Sequence, residues 1–291
     1  MVIQIEGLSK DYGRKRVLDN ISFSVKKGEI HGFLGPNGAG KTTTIRVLLG
    51  FLLSNGGSAA IWNEPVSMNN VAQRRRIGYL PSDIAFPPNM TGNEVIDFAL
   101  QTRGAKSEKK DKLVKALDID LRTKVKRCSK GMKQKIGIIQ ALAHDPELLI
   151  LDEPTTGLDP LMQQVFHDIL FEEHRQGKTI LVSSHILSDV ELLCDKITMI
   201  RKGEIILTET MDEVNKRRFK KISLSTHEDT AALAHVAGIS NLVTENGVTS
   251  FYYQGDFNVI LQMLSPMRIN NIDINTMTME DLFMKYYHKE A

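Results

Sequence analysis

The chain has 291 residues, of which 42% are hydrophobic, which suffices for an ordinary core in one large domain and a smaller one. Its formal net charge of +2 gives no reason to expect a nucleic-acid partner. Two cysteines do not make a disulfide framework, and that usage is typical of a reducing compartment. No apolar run approaches the ~18 residues that a membrane-spanning helix needs.

The first predicted elements are short β-rich stretches at 2–5, 17–25 and 29–34. A loop follows that fits the pattern G-x-x-x-x-G-K-[ST] without mismatch, namely Gly35, Pro36, Asn37, Gly38, Ala39, Gly40, Lys41 and Thr42. A helix predicted over 43–49 begins with Thr43 and directs the partial positive charge of its N-terminus at the loop. This order of strand, loop and helix predicts a phosphate-binding site.

Each part of the loop has a physical role in holding phosphate. Glycines let consecutive backbone N–H groups surround an oxyanion, where a Cβ would collide with it. Lys41 brings a positive charge to the outer phosphates, and the Thr42 hydroxyl is placed to ligate Mg²⁺. The loop therefore predicts that the chain binds a nucleoside triphosphate.

Further strands are predicted near 58–62 and 77–80, followed by a helical insertion over about 84–145. The first helix of the insertion carries a capping box, with Thr91 at its N-cap and Glu94 three residues later.

A second nucleotide motif consists of four aliphatic residues, 148–151, that end in two carboxylates, and such a continuous apolar run is typical of a central parallel strand. Asp152 would emerge at the end of that strand and hold Mg²⁺ through water, and Glu153 could act as the general base toward an attacking water. Beyond them, a helix over 162–175 and a strand over 179–183 continue an α/β order, which implies a mainly parallel sheet.

Between these motifs stands the run Cys-Ser-Lys-Gly-Met-Lys-Gln-Lys at 128–135, and Ser184-His185 follows the last strand. With these residues the chain resembles an ATP-binding cassette ATPase, the motor subunit of membrane transporters. The family signature is usually Leu-Ser-Gly-Gly-Gln, and Ser129 and Gly131 match it. The spelling Ser-Lys-Gly-Met resembles the bacitracin and multidrug exporter branch.

The resemblance implies roles for single residues. Ser129 and Gly131 would grip the γ-phosphate bound by the opposite subunit, and Tyr12 would stack on adenine. Asp159 would lie in the loop that crosses to the partner subunit, and His185 would touch the γ-phosphate and orient the attacking water. Two alternatives stay open, because Tyr12 near a turn is often structural and Asp159 also suits a helix cap.

One position departs from the family pattern. The family commonly has a Gln after Ile-Gly-Tyr-x-Pro, whereas here residues 77–81 are followed by Ser82 and Asp83. Serine is shorter than glutamine and cannot span the same gap, although its hydroxyl or Asp83 could act on Mg²⁺ through a bridging water.

From about residue 218 the pattern changes. Strands are predicted at 221–225, 239–245, 248–254 and 269–274, and helices at 229–236 and 259–264. The order β-α-β-β-α-β is typical of ferredoxin-like domains. We therefore predict the α/β class, with a P-loop NTPase cassette of mixed sheet over 1–217 and a small α+β ferredoxin-like domain over 218–291. The small domain would be regulatory, dimerising, permease-docking or purely stabilising.

The resemblance implies an ATP-hydrolysing motor subunit, favoured as an exporter, at the cytoplasmic face of the cell membrane. Its catalytic residues would be Glu153, His185 and Lys41, its cofactors ATP and Mg²⁺, and its metal site Thr42, Asp152 and Ser82. Its partners would be a permease on a separate chain and a second ATPase subunit, in a homodimer or heterodimer. The alternatives are an importer motor and a soluble nucleotide switch acting on ribosomes, DNA or iron–sulfur assembly.

An apolar cluster follows Ser82, with Phe86 at its centre and two prolines and Met90 after it. The family uses this region as a groove for a cytoplasmic helix of the membrane subunit. The cluster could equally cap the core beneath the helical insertion.

Overall fold

The computed structural model describes residues 1–105, 108–216, 219–226 and 228–276. The chain divides into two compact units, residues 1–211 and residues 212–291. The end of the predicted small domain, residues 277–291, lies outside the described residues. Within the described ranges, no helix is long and apolar enough to cross a bilayer.

The first unit alternates strands and helices along the chain. Its strands are β1 (Ile3–Tyr12), β2 (Lys15–Val25), β3 (Ile30–Leu34), β4 (Gly56–Ile61), β5 (Glu64–Pro65), β6 (Ile77–Leu80), β7 (Leu148–Asp152), β8 (Thr179–Ser184), β9 (Lys196–Arg201) and β10 (Glu204–Thr210). Its helices are α1 (Lys41–Leu48), α2 (Val71–Arg75), α3 (Gly92–Arg103), α4 (Lys109–Ala116), α5 (Lys130–Leu142), α6 (Pro160–Arg175) and α7 (Leu187–Leu193). A further helix, α8 (Met211–Lys216), begins at the boundary between the units.

The larger sheet of the first unit has six strands in the order β10-β9-β3-β8-β7-β6. Five of them are parallel, and β10 joins β9 antiparallel. Every residue of β3, β7 and β8 is buried, as expected of central strands covered on both faces. The carboxyl ends of β3 and β7 point to the same edge of the sheet, so the loop after residue 34 and the residues after 151 meet there.

A second, antiparallel sheet has the order β2-β1-β4-β5. Strand β1 is longer than predicted, because its pairing with β2 continues to Tyr12 opposite Lys15. Its inward side chains Ile3, Ile5 and Leu8 are fully buried and share a core with residues of α1 and the larger sheet.

The helical insertion contains α3, α4, a 3-10 turn (Val125–Arg127) and α5. The predicted capping box is confirmed at the start of α3. Glu94 N donates to Thr91 Oγ1 at 3.2 Å, and Thr91 N donates to Glu94 Oε2 at 2.6 Å. These two bonds satisfy backbone donors that would otherwise lack partners at a helix N-terminus.

The described part of the second unit has strands β11 (Lys220–Thr226), β12 (Ile239–Glu245), β13 (Val248–Tyr253) and β14 (Ile269–Thr276), and helix α9 (Phe257–Leu264). The four strands form one antiparallel sheet in the order β12-β13-β11-β14. Ile222, Phe251 and Ile260 lie at the centre of its core.

The helix predicted over 229–236 is wrong in type, because this segment forms a five-residue 3-10 helix, Ala231–His235. The chain reverses soon afterwards at Gly238, whose φ is +91° and where a Cβ would lie 2.2 Å from Gln254 O. The helix is only five residues long, and 3-10 geometry is the usual form of such short pieces.

Candidate nucleotide-binding site

The phosphate loop connects β3 to α1 at the carboxyl edge of the larger sheet. Gly40 is the N-cap of α1 and has a left-handed backbone, with φ of +117°. A Cβ at Gly40 would lie 2.6 Å from Leu18 Cδ2, so the position has neither the conformation nor the space for a side chain. The backbone N–H groups at the start of α1 therefore face the concave side of the loop and form an anion site.

Lys41 is almost fully buried at the start of α1. Its Nζ donates to Gly35 O at 2.6 Å and lies 3.1 Å from Glu153 Oε1. Glu153 Oε1 makes no hydrogen bond within the described chain, so its contact with Lys41 is an ion pair without hydrogen-bond geometry. The ammonium is thus held at the mouth of the loop by groups that a phosphate oxygen can replace.

Asp152 ends β7 and is fully buried. Its Oδ2 accepts a hydrogen bond from Thr42 Oγ1 at 2.7 Å, and its Oδ1 accepts a short one from Ser183 Oγ. Ser183 stands opposite Asp152 in the parallel pairing of β7 and β8. The sequence reasoning missed Ser183, although a polar residue at the end of an apolar strand is a usable signal.

Glu153 leaves the strand through a left-handed conformation, with φ of +52°. For a residue with a side chain this backbone is rare and costs on the order of 1–2 kcal/mol. Its N–H donates to Ser183 O at 3.1 Å, which fixes the turn. Its Oε2 lies 2.6 Å from Nδ1 of His185, so the imidazole and Lys41 contact opposite oxygens of one carboxylate.

A cavity of about 220 Å³ lies over the phosphate loop. It brings together most of the predicted site residues with Val17, which the sequence did not indicate; the lining is Val17, Pro36, Asn37, Gly38, Gly40, Lys41, Thr42, Thr43, Ser82 and Glu153. Ser82 therefore faces the same space as Thr42 and Glu153. Nearby, burial and then the charge of Asp152 raise the pKa of Tyr79 to about 12, so the Tyr79 ring stays neutral there.

The two signature residues lie outside the phosphate-loop cavity. Neither Ser129 nor Gly131 is among the described residues that line it. Ser129 caps α5, and its Oγ accepts a hydrogen bond from Met132 N at 3.2 Å. A Cβ on Gly131 would lie 2.9 Å from Gly157 O, so the start of α5 touches the loop that follows Glu153.

Gln134 ties the same two segments together and was also missed by the sequence reasoning. Its amide is buried and donates to Pro154 O at 2.6 Å. A buried polar side chain in an otherwise apolar helix face is the signal that could have found it.

Tyr12 and Asp159 also lie outside the cavity lining within the described chain, as do Gly35, Ala39, Asp152 and His185. Tyr12 is 46% exposed at the end of β1, with Lys10 Nζ 5.5 Å from its ring centroid. Asp159 caps α6, and its Oδ1 accepts from Met162 N at 2.9 Å, so the alternative role as a helix cap is observed.

The donors present fit Mg²⁺. In the described chain, no group of three or more His, Cys, Asp or Glu side chains is placed to hold a metal. Thr42 and Asp152 instead offer one hydroxyl and one carboxylate side by side. Mg²⁺ keeps several waters and binds through one or two protein oxygens plus substrate phosphates, so this small oxygen set is of the kind it uses.

The fold and the site define a P-loop ATPase of the cassette type, and comparison with known proteins agrees. The family model described as ABC transporter matches residues 18–156. An uncharacterized ABC transporter ATP-binding protein of Bacillus subtilis, YhcH, is 31% identical over 98% of this chain and 95% of its own length. The bacitracin transport ATP-binding protein BcrA of Bacillus licheniformis is 34% identical over 99% of this chain and 96% of its own.

A third relative is the linearmycin resistance ATP-binding protein LnrL of Bacillus subtilis, 36% identical over 74% of this chain and 71% of its own. Among solved structures, an ATP-binding subunit of an ABC transporter matches with a TM-score of 0.69 at 29% identity, over 75% of this chain and 93% of that one. The cassette MJ0796 shares the fold, with a TM-score of 0.66 over 72% of this chain and 98% of that one.

The chain therefore belongs to the ATP-binding proteins of ABC transporters. It is an ATP-binding ATPase, and the resemblance inferred from its motifs is confirmed.

Proposed function

We propose that the chain is the ATP-hydrolysing motor subunit of an exporter, working at the cytoplasmic face of the cell membrane with a permease on a separate chain. One observation carries the hydrolytic part of the proposal. Glu153 lines the phosphate-loop cavity with one oxygen 3.1 Å from Lys41 Nζ and the other 2.6 Å from His185 Nδ1.

The residues divide the work as follows. When phosphates enter the loop, the Lys41 ammonium exchanges its contacts with Gly35 O and Glu153 for the outer phosphate oxygens. The released Glu153 carboxylate then accepts a proton from the attacking water, as a general base must at hydrogen-bond distance. His185 holds the second carboxylate oxygen and orients that water.

Mg²⁺, when bound with ATP, neutralises charge that develops on the phosphates. Thr42 and Asp152 would hold it, with Ser82 acting through water. Ser183 keeps the Asp152 carboxylate oriented by donating to its other oxygen.

Dimerisation is part of the proposal, because Ser129 and Gly131 begin α5 outside the cavity of their own chain. The free N–H groups at the start of α5 and the Ser129 hydroxyl form an anion site suited to the phosphate held by a partner subunit. Asp159 and the loop before it would cross to that partner, and Tyr12, exposed at a strand end, would stack on adenine.

Docking of the permease is proposed at the apolar groove around Phe86, Met90 and Phe98. The side chain of Phe98 is 61% exposed, as suits an anchor that a partner covers. Two relatives, named for bacitracin transport and linearmycin resistance, support the exporter reading.

For the second unit we propose a ferredoxin-like domain with an accessory role. The support is its strand order and its fully antiparallel pairing, which match a split β-α-β arrangement with the first helix reduced to a 3-10 turn.

The test measures whether a charge placed in the docking groove releases the chain from native membranes. Phe86→Asp puts a charge in the groove and should free the protein from native membranes, while Leu192→Asp, at an exposed apolar residue outside the groove lining, should not. Affinity purification of the wild type from those membranes should yield one co-purifying membrane protein. Unchanged membrane association and export in Phe86→Asp would overturn docking, and wild type found wholly on ribosomes or DNA would overturn the transporter assignment.

A further inference from the structure

The apolar groove beside α3 has a volume of about 600 Å³ and is lined by residues of α2, β6, α3 and α5 and of the loops after α1 and β6. Its large side chains include Phe51 and Phe98, which are 51% and 61% exposed. Among the described residues that line it, two are arginines, Arg74 and Arg103, and none is acidic. The groove is therefore apolar and positively charged.

The two arginines differ in their bonding. Arg74 donates to the carbonyl oxygens of Ser67 and Met68, at 3.2 and 2.9 Å, so its guanidinium is satisfied by backbone. Arg103, the last residue of α3, donates from Nη1 to Ala99 O at 3.3 Å, its one side-chain hydrogen bond to a described residue. Its Nε is buried and has no partner within the described chain.

The acidic residues of α3 are engaged elsewhere. Glu94 closes the capping box with Thr91, and Asp97 lies 2.6 Å from Lys110 Nζ. On the other side, the neighbouring His144 is a neutral ring, because burial and then the charge of Arg103 lower its pKa to about 4. Burial alone lowers the pKa of Arg103 itself, with no carboxylate acting against it.

A guanidinium that is partly desolvated and lacks its anion destabilises the protein that carries it. The same group becomes a strong recognition element when a carboxylate arrives, because arginine holds carboxylates in a two-pronged, charge-assisted geometry. An amphipathic helix is the kind of segment that lays an apolar face with one polar contact into such a groove.

We propose that this groove selects a helical segment of the membrane subunit that carries an Asp or Glu side chain, and that this carboxylate pairs with Arg103. The inference rests on the docking part of the proposed function and adds the chemistry of the partner. The apolar face of the segment packs against Phe51, Phe86 and Phe98. The pair of Arg103 with the carboxylate fixes the register of the segment in the groove.

The first experiment returns purified protein to native membranes that have been stripped of peripheral proteins, and measures the retained fraction against salt. Wild type and Arg103→Lys should bind, whereas Arg103→Gln should bind about tenfold or more weakly and lose most of its salt dependence. Arg175→Gln is the matched control, since Arg175 also ends a helix but pairs with Glu172 outside the groove lining. Circular dichroism and thermal unfolding check that each variant is folded.

The second experiment locates the carboxylate directly. In Arg103→Lys, a carbodiimide condenses the new amine with a touching carboxylate, forming an amide and transferring the lost oxygen to the urea by-product. Mass spectrometry should find a cross-link from position 103 to an Asp or Glu of a membrane protein, absent from wild type and from Arg103→Gln. A cross-link only within this chain, or none while the protein stays on the membrane, would overturn the inference.

The two proposals fail differently. If wild type is not retained, or Phe86→Asp is retained as well as wild type, the docking proposal itself is wrong. If Phe86→Asp is released while Arg103→Gln binds like wild type, docking stands and the carboxylate partner is wrong.

Discussion

Replacing Glu153 with Gln tests the assignment of the general base with little change of shape. The amide keeps the volume of the carboxylate but cannot take a proton from water. A positioned general base contributes about 10²–10⁴ in rate, so turnover should fall by that factor, which is about 3 to 5 kcal/mol of activation free energy.

The structure also gives the sign of the effect on binding. Lys41 and Glu153 have side chains only 6% and 13% exposed, with their charged atoms 3.1 Å apart. At an effective dielectric constant of 20, such charges attract by about 5 kcal/mol, much of which the cost of desolvation offsets. The phosphates must compete with this ion pair for Lys41. Because the Gln variant removes the competition, its ATP affinity should equal or exceed that of wild type.

The assay combines phosphate release under saturating ATP, equilibrium ATP binding, and size-exclusion chromatography, where an ATP-trapped dimer should accumulate. Glu147→Gln is the matched control, because Glu147 precedes the same strand but pairs with Arg76 outside the cavity lining. Hydrolysis within a few-fold of wild type in Glu153→Gln would refute the reasoning and make His185 the next candidate. A loss of ATP affinity in that variant would refute the competition argument.

Other perturbations give equally direct outcomes. Lys41→Ala should weaken ATP binding by at least about tenfold, since it removes a charge-assisted contact, and an affinity within a few-fold of wild type in a nucleotide titration would count against the loop assignment. Gly131→Asp should stop hydrolysis and dimer closure while a monomer still binds ATP. Gly131→Ala is the control for the steric part of this effect, because any Cβ at this position would lie 2.9 Å from Gly157 O. The difference in ATPase rate between the two variants then measures the effect of the added charge. His144→Gln should flatten the pH dependence of stability, because the unfolded chain protonates His144 near pH 6.5 and the folded chain only near its lowered pKa of about 4. As the pH is lowered from 6.5 to about 4, the free energy of unfolding of wild type should therefore fall more steeply than that of His144→Gln, by up to about 1.4 kcal/mol per pH unit. Urea titrations of both proteins between about pH 7 and 4 would measure this difference.

The sequence by itself determined the parts whose chemistry is local. Three such parts are the phosphate loop, the buried strand ending in Asp152 and the capping box at Thr91. Each consists of fewer than ten consecutive residues and depends on backbone rules that hold in any fold. The need for glycine at position 40 could be predicted from the sequence for the same reason, since the left-handed N-cap is a property of the loop itself.

Only the tertiary structure decided the contacts between distant segments. Ser183 reaches Asp152 because β8 pairs with β7 in one register, and Gln134 reaches Pro154 because α5 begins against the loop after Glu153. Within the described part of the chain, Nε of Arg103 has no hydrogen-bond partner because of the packing among β6, α3 and α5, which no local pattern encodes. The 3-10 turn at 231–235 was likewise decided by tertiary context, because pairing of the flanking strands overrides helix propensity in so short a segment.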